Sequence, residues 1–114
     1  MIEIILYNLP KISLNEWYSG SHWSKRTKIK DDYIFIIKSQ FKQILPKSKK
    51  YTVFYNFLFD SKPLDASNCV AMVKLIEDII FENDGYNIIT GIHIKSEKSP
   101  TKKDYVKIHI YENK

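Results

Sequence analysis

Apolar residues alternate with polar ones in some stretches of the chain and fill another stretch almost completely, and together these patterns predict four β-strands. The four predicted strands are Ile2–Tyr7, Tyr51–Phe59, Ile88–Lys95 and Tyr105–Tyr111. The second is apolar at nearly every position and rich in aromatic and β-branched residues, which predicts a central strand buried on both faces. The polar segment Ser96–Asp104 predicts a hairpin tip between the last two strands. Their expected inward-facing residues are Ile88, Ile92 and Ile94, then Val106, Ile108 and Ile110.

Two further stretches repeat their apolar residues every three or four positions, which predicts helices. The first runs from about Thr27 to Leu45, where Pro46 would end it. The second runs from about Asn68 to Phe81 and is apolar enough to be largely buried, with Ser67 as its N-cap. The order β-α-β-α-β-β predicts one small α+β domain with a mixed four-stranded sheet and two helices.

Composition narrows the class of protein. A chain of 114 residues with 44% hydrophobic residues suits one folded domain with a modest core. No apolar run reaches the ~20 residues of a membrane span, and a strand pattern begins directly after Met1, so we expect no signal peptide. The single Cys69 rules out an internal disulfide and fits a reducing cytoplasm. The net charge of +5 suggests a polyanionic partner.

The predicted loop Lys11–Arg26 interleaves aromatic, polar and basic side chains. Such a segment suits stacking on bases and pairing with phosphates. Alternatively, Trp17 and Trp23 close the end of a small core, and the two uses are compatible. The residues concerned are Asn15, Trp17, Tyr18, His22, Trp23, Lys25 and Arg26.

Two carboxylates flank the second predicted helix, Asp65 before it and Asp84 after it. Because only the rest of the fold can bring them together, they are candidates for metal ligation. As alternatives, Asp65 is a capping acid and Asp84 a turn acid. Asn68 is either a neutral oxygen ligand or a partner of the loop backbone. Lys74 either acts at this site or pairs with Asp78 four residues later.

Two histidines fall on the outward faces of the last two predicted strands. His93 and His109 are expected to sit across from each other if these strands pair. A metal-binding or pH-sensing role and a solvated cross-strand pair both remain open.

Several short motifs recur in an order that points to a family. Asp65–Asn68 (DASN) matches a D-x-D-N segment with one substitution, and Asn83-Asp84 stands where a closing acidic pair is expected. In this arrangement the chain resembles the RusA-type Holliday junction resolvases over nearly its whole length. The other matching parts are Leu14–Tyr18, Lys25-Arg26, Lys74 followed by Glu77-Asp78, and Asp104–Glu112.

The resemblance implies a homodimer that cuts four-way DNA junctions with Mg²⁺, nicking two strands symmetrically. It implies that Asp65, Asp84 and Asn68 hold the metal and that Asp65, Asp84 and Lys74 take part in catalysis. The residues that it implies for DNA binding are Asn15, Tyr18, Trp23, Lys25, Arg26 and Lys28.

Elementary chemistry is consistent with these roles. Phosphodiester hydrolysis needs a metal ion to strengthen the nucleophile and neutralise charge, and Mg²⁺ requires only one or two protein carboxylates. A nearby lysine would stabilise the charge that develops in the transition state. Two other classes stay open: a non-catalytic DNA-binding relative, and a small α+β interaction module whose basic surface serves solubility.

Association of two chains follows from the same pattern. Two helices do not cover both apolar faces of Tyr51–Phe59, so we expect an uncovered face to serve as the dimer surface. We also expect Asp65 and Asp84 to share one metal ion. Because a long helix separates them, they would meet either through a shorter helix or across the dimer.

Overall fold

The computed structural model describes residues 1–18, 23–43, 45, 49–81 and 88–113. Within these residues the chain forms an α+β domain, as predicted, with three α-helices instead of two. In chain order the elements are strand β1 (Ile2–Tyr7), helices α1 (Leu14–Tyr18) and α2 (Trp23–Gln40), strand β2 (Tyr51–Phe59), a 3₁₀ turn (Ala66–Cys69), helix α3 (Val70–Ile80), and strands β3 (Ile89–Lys98) and β4 (Tyr105–Glu112).

The strands form one mixed sheet in the order β1-β4-β2-β3. β2 pairs in parallel with β3 and antiparallel with β4, and β4 also pairs antiparallel with β1. The predicted mixed four-stranded sheet and the central position of β2 are therefore confirmed.

The predicted hairpin between β3 and β4 is wrong, because β2 lies between these two strands. The connection crosses the carboxyl end of β2, where the Ser99 N–H donates to the Phe59 carbonyl at 2.8 Å. At the neighbouring end of β1, the Asn8 N–H donates to the Asp104 carbonyl at 3.0 Å. Successive strands are often neighbours but not always, and alternation alone does not show which edges pair.

The two faces of β2 differ: the prediction of burial holds along the whole of one face, but on the other face only for Leu58, which is 6% exposed. On the covered face Tyr55 and Phe57 are each 1% exposed, whereas Phe54 on the other face is 39% exposed. On β3, Ile94 packs against the core, but Ile92 is 45% exposed instead of buried. The reason is that β3 is an edge strand, with a neighbour on one side only.

Helices α2 and α3 supply the other half of the core. Tyr33 and Ile37 from α2 and Ile76 from α3 are each completely buried in one cluster with the covered face of the sheet. The Tyr33 hydroxyl also donates to the Pro10 carbonyl, which ties α2 to the segment after β1. Burying each large apolar side chain contributes about 1.5–3 kcal/mol. The predicted inward residues of β4 are buried as well: Val106, Ile108 and Ile110.

Helix α2 begins and ends earlier than the predicted Thr27–Leu45. At its carboxyl end the Gln40 side chain accepts from the Tyr7 N–H at 2.8 Å and donates to the Tyr7 carbonyl at 2.9 Å. These bonds hold the last turn against β1, and Leu45 enters the core beyond the helix. Among the described helices, none combines the length and apolar character needed to cross a membrane.

Helix α1 lies inside the segment that the sequence predicted as a loop. Ser13 and Glu16 form a reciprocal capping box: Ser13 Oγ accepts from the Glu16 N–H at 3.1 Å, and Glu16 Oε1 accepts from the Ser13 N–H at 3.3 Å. These two bonds satisfy backbone donors that the first turn would otherwise leave free.

The predicted N-cap role of Ser67 is wrong. Ser67 lies within the 3₁₀ turn, and that turn has no side-chain capping bond at its start. The chain closes the turn through its backbone instead, with the Asn68 N–H donating to the Asp65 carbonyl at 2.8 Å. Helix α3 then begins at Val70, two residues later than expected.

Candidate active site

The segment that joins β2 to the 3₁₀ turn is held by Lys11, which follows β1. Lys11 Nζ donates to Ser61 Oγ at 3.0 Å and also to the Lys62 carbonyl. Its ammonium lies 5.2 Å from the centre of the Phe59 ring, a distance at which a cation and a ring attract each other. The segment is thereby fixed relative to the start of α1.

The same segment is also tied to β3 and β4. Ser96 Oγ donates to the Leu64 carbonyl, and Lys98 Nζ donates to the Asp60 carbonyl. The Asp60 N–H in turn donates to the Asp104 carboxylate at 2.6 Å. Strand β3 and Asp104, the residue directly before β4, therefore position the residues that lead into Asp65.

Asp65 and Asn68 present free oxygen atoms at the start of the helical region. Asp65 is exposed and Asn68 is half-buried. Within the described part of the chain, neither side chain forms a hydrogen bond or an ion pair, so the alternative of Asp65 as a side-chain cap is not what the structure shows. The backbone bond of 2.8 Å from the Asn68 N–H to the Asp65 carbonyl holds the two residues together at this turn.

Helix α1 packs against both the 3₁₀ turn and α3. This contact brings two of the predicted DNA-binding residues, Asn15 and Tyr18, into the neighbourhood of Asp65–Asn68. Both are exposed, and the Tyr18 side chain is 62% exposed. Residues from two distant parts of the sequence thus share one surface.

Arg26 joins this surface from α2. Its guanidinium lies 5.5 Å from the centre of the Trp17 ring and 5.9 Å from that of Tyr18. Its Nε is buried without a hydrogen-bond partner. Trp17 packs against the core as the alternative interpretation proposed, while its ring also supports the arginine. The aromatic rings therefore orient a cation against α1.

The remaining predicted DNA-binding residues lie along α2. Lys25 is exposed, and Lys28 pairs with Asp32 at 3.1 Å while its side chain stays 78% exposed. An exposed i,i+4 pair of this kind contributes only about 0.3–0.5 kcal/mol, so Lys28 exchanges it readily for a phosphate. Trp23 is the first residue of α2, and its side chain lies outside the described part of the structure.

Lys74 is exposed on α3, farther from Asp65 than a single turn. The axial rise from Asp65 to Lys74 is about 15 Å for one 3₁₀ turn followed by α-helix. Among the described residues Lys74 forms no ion pair, so the alternative pairing with Asp78 is not formed. Its side chain leans toward the helix N terminus, and therefore toward Asp65.

The second predicted metal ligand, Asp84, lies outside the described residues. In the described ranges no group of three or more histidine, cysteine, aspartate or glutamate side chains is arranged to hold a metal ion. Of the acids at this end of the sheet, Asp60 and Asp104 are joined by the backbone bond already described. The shared site of Asp65 and Asp84 stays a prediction.

His93 and His109 do not face each other, which corrects the expected cross-strand pair. Both lie directly opposite Phe54, one on each neighbouring strand. The His93 ring stacks on Phe54 with centroids 4.2 Å apart, and His109 Nε2 lies 2.7 Å from a Glu3 carboxylate oxygen. They belong to the open face of the sheet and not to the Asp65 site.

Cys69, beside the site, does not have the properties of a reactive nucleophile. Its side chain is completely buried, and that burial raises the pKa of the thiol. The charge of Asp65 raises this pKa further, against opposing effects of a Ser96 hydrogen bond and the Lys11 charge. A buried neutral thiol is inert, so the chemistry of the site depends on oxygen donors and cations.

Sequence reasoning missed Lys11 and Asp104, which hold the approach to Asp65. A cation directly after a strand-ending proline and an acid directly before the last strand were the available signals. No protein-family model matches this chain, and no curated protein is similar to it. The resemblance to RusA-type resolvases therefore rests on the motifs alone.

Proposed function

We propose that this protein is a Mg²⁺-dependent endodeoxyribonuclease of the RusA type that acts on four-way DNA junctions as a homodimer. The observation that carries the proposal is the contact of α1 with the 3₁₀ turn. Through it, the helix that carries Tyr18, whose ring lies beside Arg26, rests on the turn that follows Asp65 and contains Asn68. To cut a DNA strand, an enzyme needs oxygen donors for the metal ion and side chains that hold the DNA in the same place.

The donor set at the turn fits magnesium. Mg²⁺ prefers carboxylate and carbonyl oxygens, keeps several waters and takes only one or two protein carboxylates. Asp65 and Asn68 supply oxygens of these two kinds, and neither is engaged with another described residue. When bound, the ion supplies positive charge to the scissile phosphate and makes water a stronger nucleophile at neutral pH.

The other residues have binding roles. Arg26 and Lys25 hold the DNA backbone beside the turn, and Tyr18 offers an exposed ring to an unpaired base. We expect Lys74, about 15 Å from Asp65 along the helical region, to extend toward the DNA and stabilise negative charge on the phosphate. Lys28 extends the basic surface along α2.

The length of the helical region is the reason to expect the second carboxylate from another copy of the chain. From Asp65 to Phe81 the helical region rises about 25 Å, while three residues after Phe81 span at most ~11 Å. Asp84 of the same chain therefore falls short of an ion at Asp65. We propose that Asp84 of the partner subunit completes the site.

The sequence predicted the uncovered face of β2 as the dimer surface, but the described residues offer a second surface on helix α2, and we propose that one for the dimer. Phe35 is 78% exposed and Ile34 is 46% exposed on the outer side of α2, in a shallow depression of about 500 Å³ that Asp31 and Lys38 also line. Two copies of α2 packed antiparallel about Ile34 and Phe35 place each Asp31 opposite the partner's Lys38. Such self-complementarity is what a two-fold interface requires, and it suits a junction with two-fold symmetry.

The test is incubation of a mobile four-way junction with the protein, with and without Mg²⁺. We expect symmetric nicks only with Mg²⁺ and a loss of at least ~100-fold in Asp65→Asn, the size typical of removing one transition-state contact. Glu112→Gln is the matched control, because it removes the same charge at the opposite end of β2.

Two results would contradict the proposal in different ways. Salt-sensitive junction binding without Mg²⁺-stimulated nicking would assign the chain to the non-catalytic DNA-binding class. If the protein did not bind junctions at all, the remaining class would be the small α+β interaction module. In the binding assay, Lys25→Ala with Arg26→Ala should lower affinity for every DNA and flatten the salt dependence by about two units at most.

A further inference from the structure

The face of the sheet opposite the helices carries a second set of aromatic and basic side chains. β2 contributes Phe54 and Asn56 to it, and both helices α2 and α3 pack on the other face. The residues around Phe54 and Asn56 line an open depression of about 230 Å³. This open face is separate from the Asp65 site, which lies at the carboxyl end of β2.

One row across the open face combines two lysines with an unpaired amide. The strand register places Asn56 directly opposite Lys95 on β3 and Lys107 on β4. Asn56 Oδ1 is buried and has no hydrogen-bond partner. A buried polar atom without a partner costs free energy, so a ligand or water that reaches it gains a strong contact.

The next row supplies rings. His93 stacks flat on Phe54, with an angle of 4° between the ring planes, and Tyr111 meets Phe54 edge-on at 5.4 Å. His93 is exposed, so the stack of two rings ends in a surface that accepts a third flat group. Nucleic-acid bases are such groups, and stacking tolerates any sequence.

Charge decides which occupant suits this face. Among the described residues Lys107 forms no ion pair, and Lys95 pairs with Glu97 only at 3.6 Å with 70% of its side chain exposed. The same face also carries the acids Glu97 and Glu3, but neither of them lines the depression around Asn56. A second copy of the chain centred on that depression would bring lysines against lysines, which is unfavourable. An anionic strand meets the opposite sign.

We propose that the open face binds single-stranded nucleic acid. Bases stack on the His93–Phe54 pair, phosphates lie against Lys95 and Lys107, and Asn56 contributes a polar contact at the floor of the depression. This binding needs no metal ion and does not depend on the proposed nuclease activity. For a junction enzyme, the face would hold bases that are unpaired near the branch point.

The experiment measures fluorescence anisotropy of a labelled oligodeoxythymidine of about 20 nucleotides with the full chain, in EDTA and low salt. We expect Lys95→Ala with Lys107→Ala to weaken binding at least ~10-fold, because two phosphate contacts are lost. Lys30→Ala with Lys50→Ala removes the same charge elsewhere and should change the affinity less than ~3-fold. Circular dichroism melting checks that each variant is folded.

A second variant separates stacking from charge. Phe54→Leu keeps an apolar side chain and should weaken binding at least ~5-fold, because stacking on an aromatic ring is lost. The proposal would be overturned if both double lysine variants lost the same affinity for the oligonucleotide, or if the wild-type chain did not bind it. Self-association in sedimentation that Phe54→Leu abolishes would also overturn it, since the face would then be a dimer surface. Binding of the oligonucleotide in EDTA can be observed even if the protein shows no Mg²⁺-dependent nicking, so the two proposals can fail separately.

Discussion

The two faces of β2 carry different chemistry although they come from the same nine residues. On the covered face Tyr55 and Phe57 are each 1% exposed and stack on each other across one strand position. On the open face the intervening residues Phe54 and Asn56 lie between lysines and histidines. Because side chains alternate along a strand, one face is committed to the core while the other is available for binding.

The two faces should therefore respond differently to mutation. Changes on the covered face remove atoms that hold the fold together, and the vacated space does not fill with water. Changes on the open face remove contacts with solvent or with a ligand, and the fold tolerates them. The following predictions test this division, beginning with the largest expected effect.

Phe57→Ala should destabilise the protein by about 3–5 kcal/mol, the cost of a cavity in a well-packed core. Phe54→Ala, three residues earlier on the open face, should cost only about 1 kcal/mol because its ring is already partly exposed. Urea denaturation of both variants measures the difference. Equal losses would mean that the open face is packed against another part of the molecule or another chain.

Tyr33→Phe should cost about 1–3 kcal/mol, since it leaves the Pro10 carbonyl without the hydroxyl that donates to it. Tyr18→Phe is the matched control, because that ring is 62% exposed and its removal of a hydroxyl should leave the free energy of unfolding unchanged. If Tyr33→Phe left the free energy of unfolding unchanged, the Pro10 carbonyl would have found another donor.

The sequence predicted where the strands lie along the chain better than it predicted their order in the sheet. An apolar run rich in aromatic and β-branched residues located β2. Alternation located β1 and β4 nearly to the residue, because each buries every second side chain on one face. It gave no information on β2 separating β3 from β4, which depends on contacts between distant segments. Ile92 lies on the covered face of the sheet, as predicted, but it is not buried there. The reason is that β3 is an edge strand, which has fewer neighbours.

The candidate site shows the same limit. Asp65 and Asn68 were visible as a motif, and Tyr18 and Arg26 as a basic aromatic segment, yet only the structure shows that α1 packs on the 3₁₀ turn. The signal for α1 was present as Ser13 and Glu16, three residues apart, a capping-box spacing. It was overlooked because a five-residue helix has no apolar periodicity of its own.

Ser13→Ala should cost about 1 kcal/mol, the usual effect of losing an N-cap oxygen. Because α1 rests on the 3₁₀ turn, this variant should also weaken junction binding without weakening binding of single strands to the open face. Ser39→Ala is the control, since that hydroxyl bonds only the Ile36 carbonyl of its own helix at 2.7 Å. Equal weakening of both kinds of DNA would contradict the separation of the two surfaces.

The smallest effect concerns Cys69, which lies beneath the covered face. Its burial raises the pKa of the thiol in the folded protein, while in the unfolded chain the thiol titrates near ~8.5. Above that pH the unfolded chain binds fewer protons than the folded one, so stability falls as pH rises. Between pH 8 and pH 9.5 the wild type should therefore lose stability relative to a variant without the thiol.

The measurement is urea denaturation with a reducing agent at several pH values, for the wild type and for Cys69→Ala. Titration of tyrosines and lysines is common to both chains and cancels in the difference between them. The difference should therefore be constant below pH 8 and should shift in favour of Cys69→Ala above it. A difference that stays constant up to pH 9.5 would mean that solvent reaches the thiol, and that the covered face is less tightly closed there than its complete burial indicates.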